Sequence, residues 1–401
     1  MEAPFALFRA IGITLLLLLS LPSSEFGLLQ QVSCLGINYG QVADNLPSPE
    51  HVLRLLGSLR VTKTRIYDTN PKILAAFANS GIELIVTVPN EAVGGLTDQA
   101  QATEWIATNI GPFLPDTSIT GIAVGNEVFT SDDAVLKENV VPAMSALHQA
   151  LVSLGLDSAV HVSTSNSLAV LADSYPPSFG SFRPELEGFI GPFLRFLLNT
   201  SGPFWINAYP YFAYKSDPER VPLDYVLFNT GPAGMVDPNT GLRYDNMLYA
   251  QVDAVVFAMA RYGYGGIEVR VSETGWPSKG DDDEVGATVE NAMMYNRNLV
   301  ARQMENEGTP LRPQPRLEVY MFALFNENLK PGPTSERNYG LYQPDGTMAY
   351  NVGLSASSTS TASVSALNSS AAQRRYEPEG SWHLLLLRSG VTASWMWKAR
   401  P

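Results

Sequence analysis

Two rhythms of apolar and polar residues alternate along this chain. Short runs rich in Val, Ile and aromatics follow a strand period of two, and the stretches between them follow a helical period. Leu35 to Gly40 is predicted as the first strand, and Pro47 to Leu59 as a helix with Ser48 at its N-cap. Lys63 to Asp68 is the second strand. Asn70 and Pro71 then open a helix to Asn79, which Gly81 stops. Ile82 to Pro89 is the third strand, and Thr97 is expected to cap a helix through Ile110. Ile119 to Val128 is the fourth strand, and Ala134 to Leu154 a long helix ended by Gly155. Val160 to Ser165 is the fifth. After a long loop, a helix from about Glu185 to Leu198, bent at Gly191-Pro192, leads to the sixth strand, Phe204 to Tyr209. The stretch from Pro210 to Tyr244 is irregular and rich in aromatics. A helix over Asn246 to Tyr262, a seventh strand from Ile267, a helix over Glu284 to Glu305 and an eighth strand over Leu317 to Phe325 complete the series.

Eight strands alternating with helices, each apolar enough for burial on both faces, predict parallel βα units. Closing them gives an α/β fold, a single (β/α)8 TIM barrel over residues 34–354, a normal size for a barrel with insertions. An open doubly wound sheet is the alternative, but no Gly-rich phosphate loop follows the first strand.

Two strands carry an acid where a barrel does its chemistry, at the C-terminal strand ends. Ile267, Val269 and Val271 alternate with Glu268, Arg270 and Ser272, so parity places Glu273 with the three aliphatics, facing the core. Glu127 shares parity with Ile119, Gly121, Ala123 and Gly125. A carboxylate on a buried face is costly unless paired or used. Either acid alone fits a structural ion pair. Two inward carboxylates at two strand ends, with aromatics nearby, are what hydrolysis of a glycosidic bond requires. Trp276 offers a flat apolar surface beside Glu273. Tyr39, Tyr67, Tyr211, Phe212 and Tyr214 also fall at or just past strand ends, where aromatics either stack on sugar rings or pack the barrel rim.

Composition narrows the partners. The chain has 401 residues, 45% hydrophobic, with a net charge of -13. That charge argues against nucleic acid or an anionic membrane. Arg9 and the apolar run Ile11 to Leu21 make residues 1–33 a secretory signal, too short for the ~20 residues of a membrane span. The single cysteine, Cys34, excludes an intramolecular disulfide. His51, His148, His161 and His383 stand apart, so neither a zinc site nor a Ser-His-Asp triad is expected. Residues 355–370 form a Ser/Thr-rich linker and 371–401 a tail, expected to be disordered. Sequons begin at Asn199 and Asn368.

Five motifs carry a resemblance: Gly36-Ile-Asn-Tyr-Gly40, Arg65-Ile-Tyr-Asp68, Val124-Gly-Asn-Glu-Val128, Val271-Ser-Glu-Thr-Gly-Trp-Pro277 and Phe322-Ala-Leu-Phe-Asn-Glu-Asn-Leu-Lys330. Over roughly Leu35 to Leu354 the chain resembles the plant endo-1,3-β-glucanases of glycoside hydrolase family 17. The resemblance implies a retaining hydrolase of β-1,3-glucan with Glu273 as nucleophile and Glu127 as acid/base. It implies that Asn126 bonds the sugar 2-hydroxyl, which strand parity allows only if a bulge turns Asn126 inward; a structural amide is the alternative. It implies that Tyr209 orients the nucleophile, against a plain core tyrosine. Glu327, Lys330 and Glu336 match the family's acid, lysine and acid, set either beside the acid/base or in a cluster that fastens the loop. Parity with Val319, Met321, Ala323 and Phe325 predicts that Glu327 faces inward. After residue 370 the chain matches neither the Cys-rich module nor the lipid-anchor signal that some relatives carry. The expectation is a secreted monomer of the extracellular space or wall, with no cofactor and no metal. A transglycosylase and a non-catalytic glucan-binding protein are the alternatives.

Overall fold

A computed structural model describes residues 35–354, apart from 232, 233 and 306. The expected leader, Cys34, the linker, the tail and the Asn368 sequon lie outside the described residues.

Eight parallel strands close into a barrel in the order β1-β8-β7-β6-β5-β4-β3-β2. They are β1 Leu35–Tyr39, β2 Lys63–Ile66, β3 Glu83–Val88, β4 Ile119–Asn126, β5 His161–Ser167, β6 Phe204–Asn207, β7 Val269–Thr274 and β8 Val319–Met321. The principal helices between them are α1 Pro49–Leu59, α2 Pro71–Ala76, α3 Gln99–Asn109, α4 Ala134–Leu154, α5 Glu187–Thr200, α6 Met247–Arg261 and α7 Val289–Met304. Local chemistry sets their ends. Asn70, Asp133 and Asn246 accept a backbone N–H of the first turns of α2, α4 and α6, and α4 ends on Gly155 at φ 69°.

Some boundaries differ from the sequence reading. Thr97 lies in a 3-10 turn, and Asp98 caps α3 by accepting from Gln101 N. Pro192 sits inside α5, which runs from Glu187 to Thr200. The helix expected from Glu284 begins at Val289 with Thr288 as its cap, because Gly286 at φ +87° breaks a helical run from Glu284. The eighth strand stops at Met321. The aromatic stretch after β6 contains a short helix, Pro210–Ser216.

The barrel separates two kinds of buried face. Val269, Val271, Val319 and Met321 belong to the large apolar cluster shared with the helices. A second, smaller cluster of Ile85, Ala123, Trp205 and Tyr320 fills the barrel interior. Below it the interior is ionic: Glu318 bonds Lys63 at 2.5 Å and Arg270 at 3.4 Å. On β7 and β8 the aliphatic residues therefore face the helices, and the polar set faces the interior. This corrects the parity assigned to Glu273 and Glu327. Glu273 reaches the mouth through a register shift between Val271 and Glu273 against β6. Glu327 arrives on the loop beyond Met321.

Candidate active site

The end of β4 is built to turn two consecutive side chains into the mouth. Its register against β5 shifts between Ala123 and Asn126. Gly125 adopts φ +71°, where an added Cβ would stand 2.5 Å from Val128. Glu127 itself is left-handed, at φ 54° and ψ 31°, a conformation a non-glycine residue holds only when its surroundings impose it. They do: Glu127 N donates to Ser165 O at 2.8 Å, and Asn126 N donates to Asn90 Oδ1 at 2.8 Å. The bulge that Asn126 needed is present.

Glu273 sits opposite, at the end of β7. Its Oε1 accepts from Arg65 Nη1 and from Tyr67 OH, each at 2.8 Å, and its Oε2 accepts from Tyr209 OH at 2.8 Å. The Arg65 side chain is fully buried and that of Glu273 is 8% exposed, so this ion pair is desolvated. Three donors, one of them charged, converge on this one carboxylate. The second Arg65 nitrogen donates to Asn126 Oδ1 at 2.9 Å, fixing that amide between the two acids. Burial, then the charge of Glu273, push the Tyr67 and Tyr209 hydroxyls well above their ordinary pKa, so both remain donors.

Glu127 is treated differently. Its one side-chain hydrogen bond among the described residues comes from Asn207 Nδ2, at 3.0 Å. Asn207 Oδ1 accepts from Ser272 Oγ at 2.8 Å, which orients the amide with its nitrogen toward Glu127. Glu127 is accessible from the cleft, yet protein surrounds its carboxyl. Desolvation and then the negative charge of Glu273 raise its pKa to about 7, against the opposing influence of Asn207 and Arg65. Two carboxyls therefore share one mouth with different equipment: one held by three donors, the other poised to keep a proton.

Both open into a cleft of about 920 Å³. Tyr67, Asn126, Tyr209, Phe212, Glu327, Lys330 and Glu336 line it. Glu327 Oε1 accepts from Val42 N at 2.8 Å, and burial raises its pKa, with Lys330 opposing. A Cβ on Gly40 would stand 2.3 Å from its carboxylate, so a larger residue there would displace Glu327. Lys330 Nζ lies 4.3 Å over the Phe322 ring and 3.4 Å from Glu336. Among the described residues, no cluster of His, Cys, Asp and Glu is arranged to hold a metal ion.

The model of the glycosyl hydrolases family 17 matches residues 35–354, the whole barrel. The chain belongs to that family. It is 54% identical over 321 residues to glucan endo-1,3-beta-glucosidase 11 of Arabidopsis thaliana, covering 80% of this chain and 75% of that protein. It is 41% identical over 342 residues to a glucan endo-1,3-beta-D-glucosidase of Olea europaea, covering 85% of this chain and 74% of that one. Among solved structures, CJP38, a beta-1,3-glucanase and allergen of Cryptomeria japonica pollen, superposes with a TM-score of 0.77 at 42% identity, covering 81% of this chain and all of that one. A plant beta-glucan endohydrolase, one of two with distinct substrate specificities, gives 0.73 at 37% identity, covering 79% and 99%.

Within this family 17 barrel, four of the aromatics expected at the strand ends lie outside the cleft. Trp276 is fully buried. Its ring packs against Tyr211 at 5.2 Å and Tyr295 at 5.6 Å, and its Nε1 donates to Gly286 O at 2.8 Å. Tyr211 is equally buried, and Tyr214 lies 6.0 Å from Trp276. Tyr39 is 3% exposed, edge-on to Phe325. Tyr39, Tyr211 and Trp276 are almost wholly removed from water, so they pack beneath the loops and do not line the cleft. Conversely, Arg65 and Asn207 hold the two acids and were not singled out from the sequence. Their signal was parity: Lys63, Arg65 and Tyr67 alternate along β2, and Trp205, Asn207 and Tyr209 along β6, with Trp205 in the interior cluster.

Proposed function

We propose that this chain is a secreted endo-hydrolase of β-1,3-glucosidic linkages that retains anomeric configuration. The observation that carries the proposal is the unequal pair. Glu273, gripped by Arg65, Tyr67 and Tyr209, is the nucleophile that attacks the anomeric carbon and forms a glycosyl-enzyme. Glu127, with its pKa raised to about 7, protonates the departing oxygen and then takes a proton from water. Asn126, pinned by Arg65, presents its amide to the sugar beside the nucleophile. Tyr67, Tyr209 and Phe212 give the cleft aromatic faces. The names of the relatives supply the linkage, and the leader-like residues 1–33 supply the secretory route.

A time course on laminarin-type oligosaccharides, read by product length and by NMR of the first anomer, tests this. Shorter chains born as the β-anomer are expected. Longer chains would make the protein a transglycosylase, and an α-anomer would make it inverting.

The pH dependence follows from Glu127. The acid must be protonated when substrate arrives, so activity is present below its folded pKa and lost above it. The alkaline limb of kcat/KM is expected to fall near pH 7. A limb at an ordinary glutamate value, about 4.3, would remove Glu127 from the acid role.

A further inference from the structure

One buried carboxylate takes no part in the reaction proposed above and yet accepts four hydrogen bonds. Glu284, in the loop between β7 and α7, is 4% exposed. Its Oε1 accepts from Lys215 Nζ at 2.9 Å and Ser335 Oγ at 2.5 Å. Its Oε2 accepts from the N–H groups of Ser335 at 2.9 Å and Asp281 at 3.0 Å. The donors come from three separate loops of the mouth. Lys215 belongs to the helix after β6, Asp281 to the loop after β7, and Ser335 to the turn Thr334–Arg337 after β8.

The group is charged. Burial works to raise its pKa, but the bonds from Ser335, Asp281 and Lys215 outweigh burial and hold it below the ordinary glutamate range. Tyr211 and Tyr339 are further titratable side chains near it. Four donors on one desolvated carboxylate are satisfied together only in one arrangement of the three loops. Neighbouring bonds repeat the tie. The Asp281 carboxylate accepts from Thr334 N at 2.9 Å and from the Thr334 hydroxyl. Ser278 donates its N–H and its hydroxyl to Asn338 O.

Each arm leads to the chemistry. The helix holding Lys215 starts directly after Tyr209, a donor to Glu273. Ser335 precedes Glu336, which lines the cleft, pairs with Lys330 and adds to the raised pKa of Glu127. We infer that Glu284 is a positioning residue: it locks the turn carrying Glu336 against the helix that follows Tyr209, and so sets the field in which Glu127 holds its proton. The inference rests on the hydrolytic role proposed above.

Glu284→Gln keeps the shape, removes the charge and turns an NH2 toward N–H donors. On β-1,3-glucan its kcat is expected to fall ~10- to 100-fold, the scale of a small misplacement of reacting groups, with a smaller change in KM. The alkaline limb of its kcat/KM profile is expected to move to lower pH. Glu273, Arg65, Asn207 and Glu336 are the groups that act on Glu127, and of these Glu336 hangs from the Glu284 turn. Ser335→Ala removes one bond and leaves the carboxylate, and is expected to shift the limb the same way by less. A lower melting temperature with both profiles unchanged would make Glu284 a structural fastener and overturn the inference. If Glu284→Gln fails to fold, an unshifted profile in Ser335→Ala overturns it alone. The unsubstituted chain is assayed alongside: if it leaves β-1,3-glucan intact, the hydrolytic role fails and this inference with it.

Discussion

Glu273→Ala is expected to abolish hydrolysis of β-1,3-glucan, on the order of 10⁶-fold, as loss of a nucleophile does in other hydrolases. Three donors would then face an empty space, and no glycosyl-enzyme would form. Glu127→Ala is expected to lose less on polymer, roughly 10²–10⁴, the usual contribution of general acid-base catalysis. On an aryl β-glucoside oligomer its first step should be nearly intact, since a good leaving group needs little protonation. Azide separates the two roles. With Glu127→Ala it attacks the glycosyl-enzyme without needing a general base and yields the β-glycosyl azide. With Glu273→Ala it displaces the leaving group directly from the vacated side and yields the α-product. The reverse pairing of products would exchange the assignments, and unreduced activity in both variants would place the reaction elsewhere.

The asymmetry behind those assignments arises from second partners rather than from the acids themselves. Arg65 and two tyrosines converge on Glu273, while a single oriented amide serves Glu127. Arg65 reaches both sides of the site, since its other nitrogen holds Asn126. Glu336 acts on Glu127 from the opposite wall, in the direction that keeps the proton on. Two acids of one residue type thereby acquire different surroundings, as the proposed division of roles requires.

The barrel was legible because βα repetition leaves a plain record: apolar strand segments separated by capped helices. Both acids were legible as carboxylates at strand ends next to Gly and Pro. The direction of their side chains was not. Period-two parity tells which residues share a face, but both faces of a barrel strand are buried, and the aliphatic face of β7 is the one against the helices. Glu273 enters the mouth through a bulge, and a bulge depends on pairing with β6 that no local pattern encodes. Counting aromatics near strand ends failed for a related reason. Tyr39, Tyr211 and Trp276 lie close in sequence to cleft residues, and their rings turn into the packing beneath the loops. Arg65 and Asn207 were within reach of the same parity argument, applied to polar residues on strands whose acids are absent.

Arg65→Met is expected to do the most damage of any change outside the two acids. The side chain is fully buried and its charge is matched to Glu273 at 2.8 Å. Removing one partner of a buried pair leaves the other uncompensated, at a cost of about 3–5 kcal/mol. Melting should fall accordingly, and activity at neutral pH with it. The pH profile carries the specific signature. Arg65 works to lower the pKa of Glu127, so its loss moves the alkaline limb to higher pH. That limb should therefore shift upward, opposite to the shift expected for Glu284→Gln. Arg65→Lys keeps the charge but not the two-nitrogen fork that joins Glu273 to Asn126. It should restore much of the stability while leaving kcat reduced, because Asn126 is no longer held. An alkaline limb that stays in place in Arg65→Met, or full activity in either variant, would mean that the two acids do not depend on this cation.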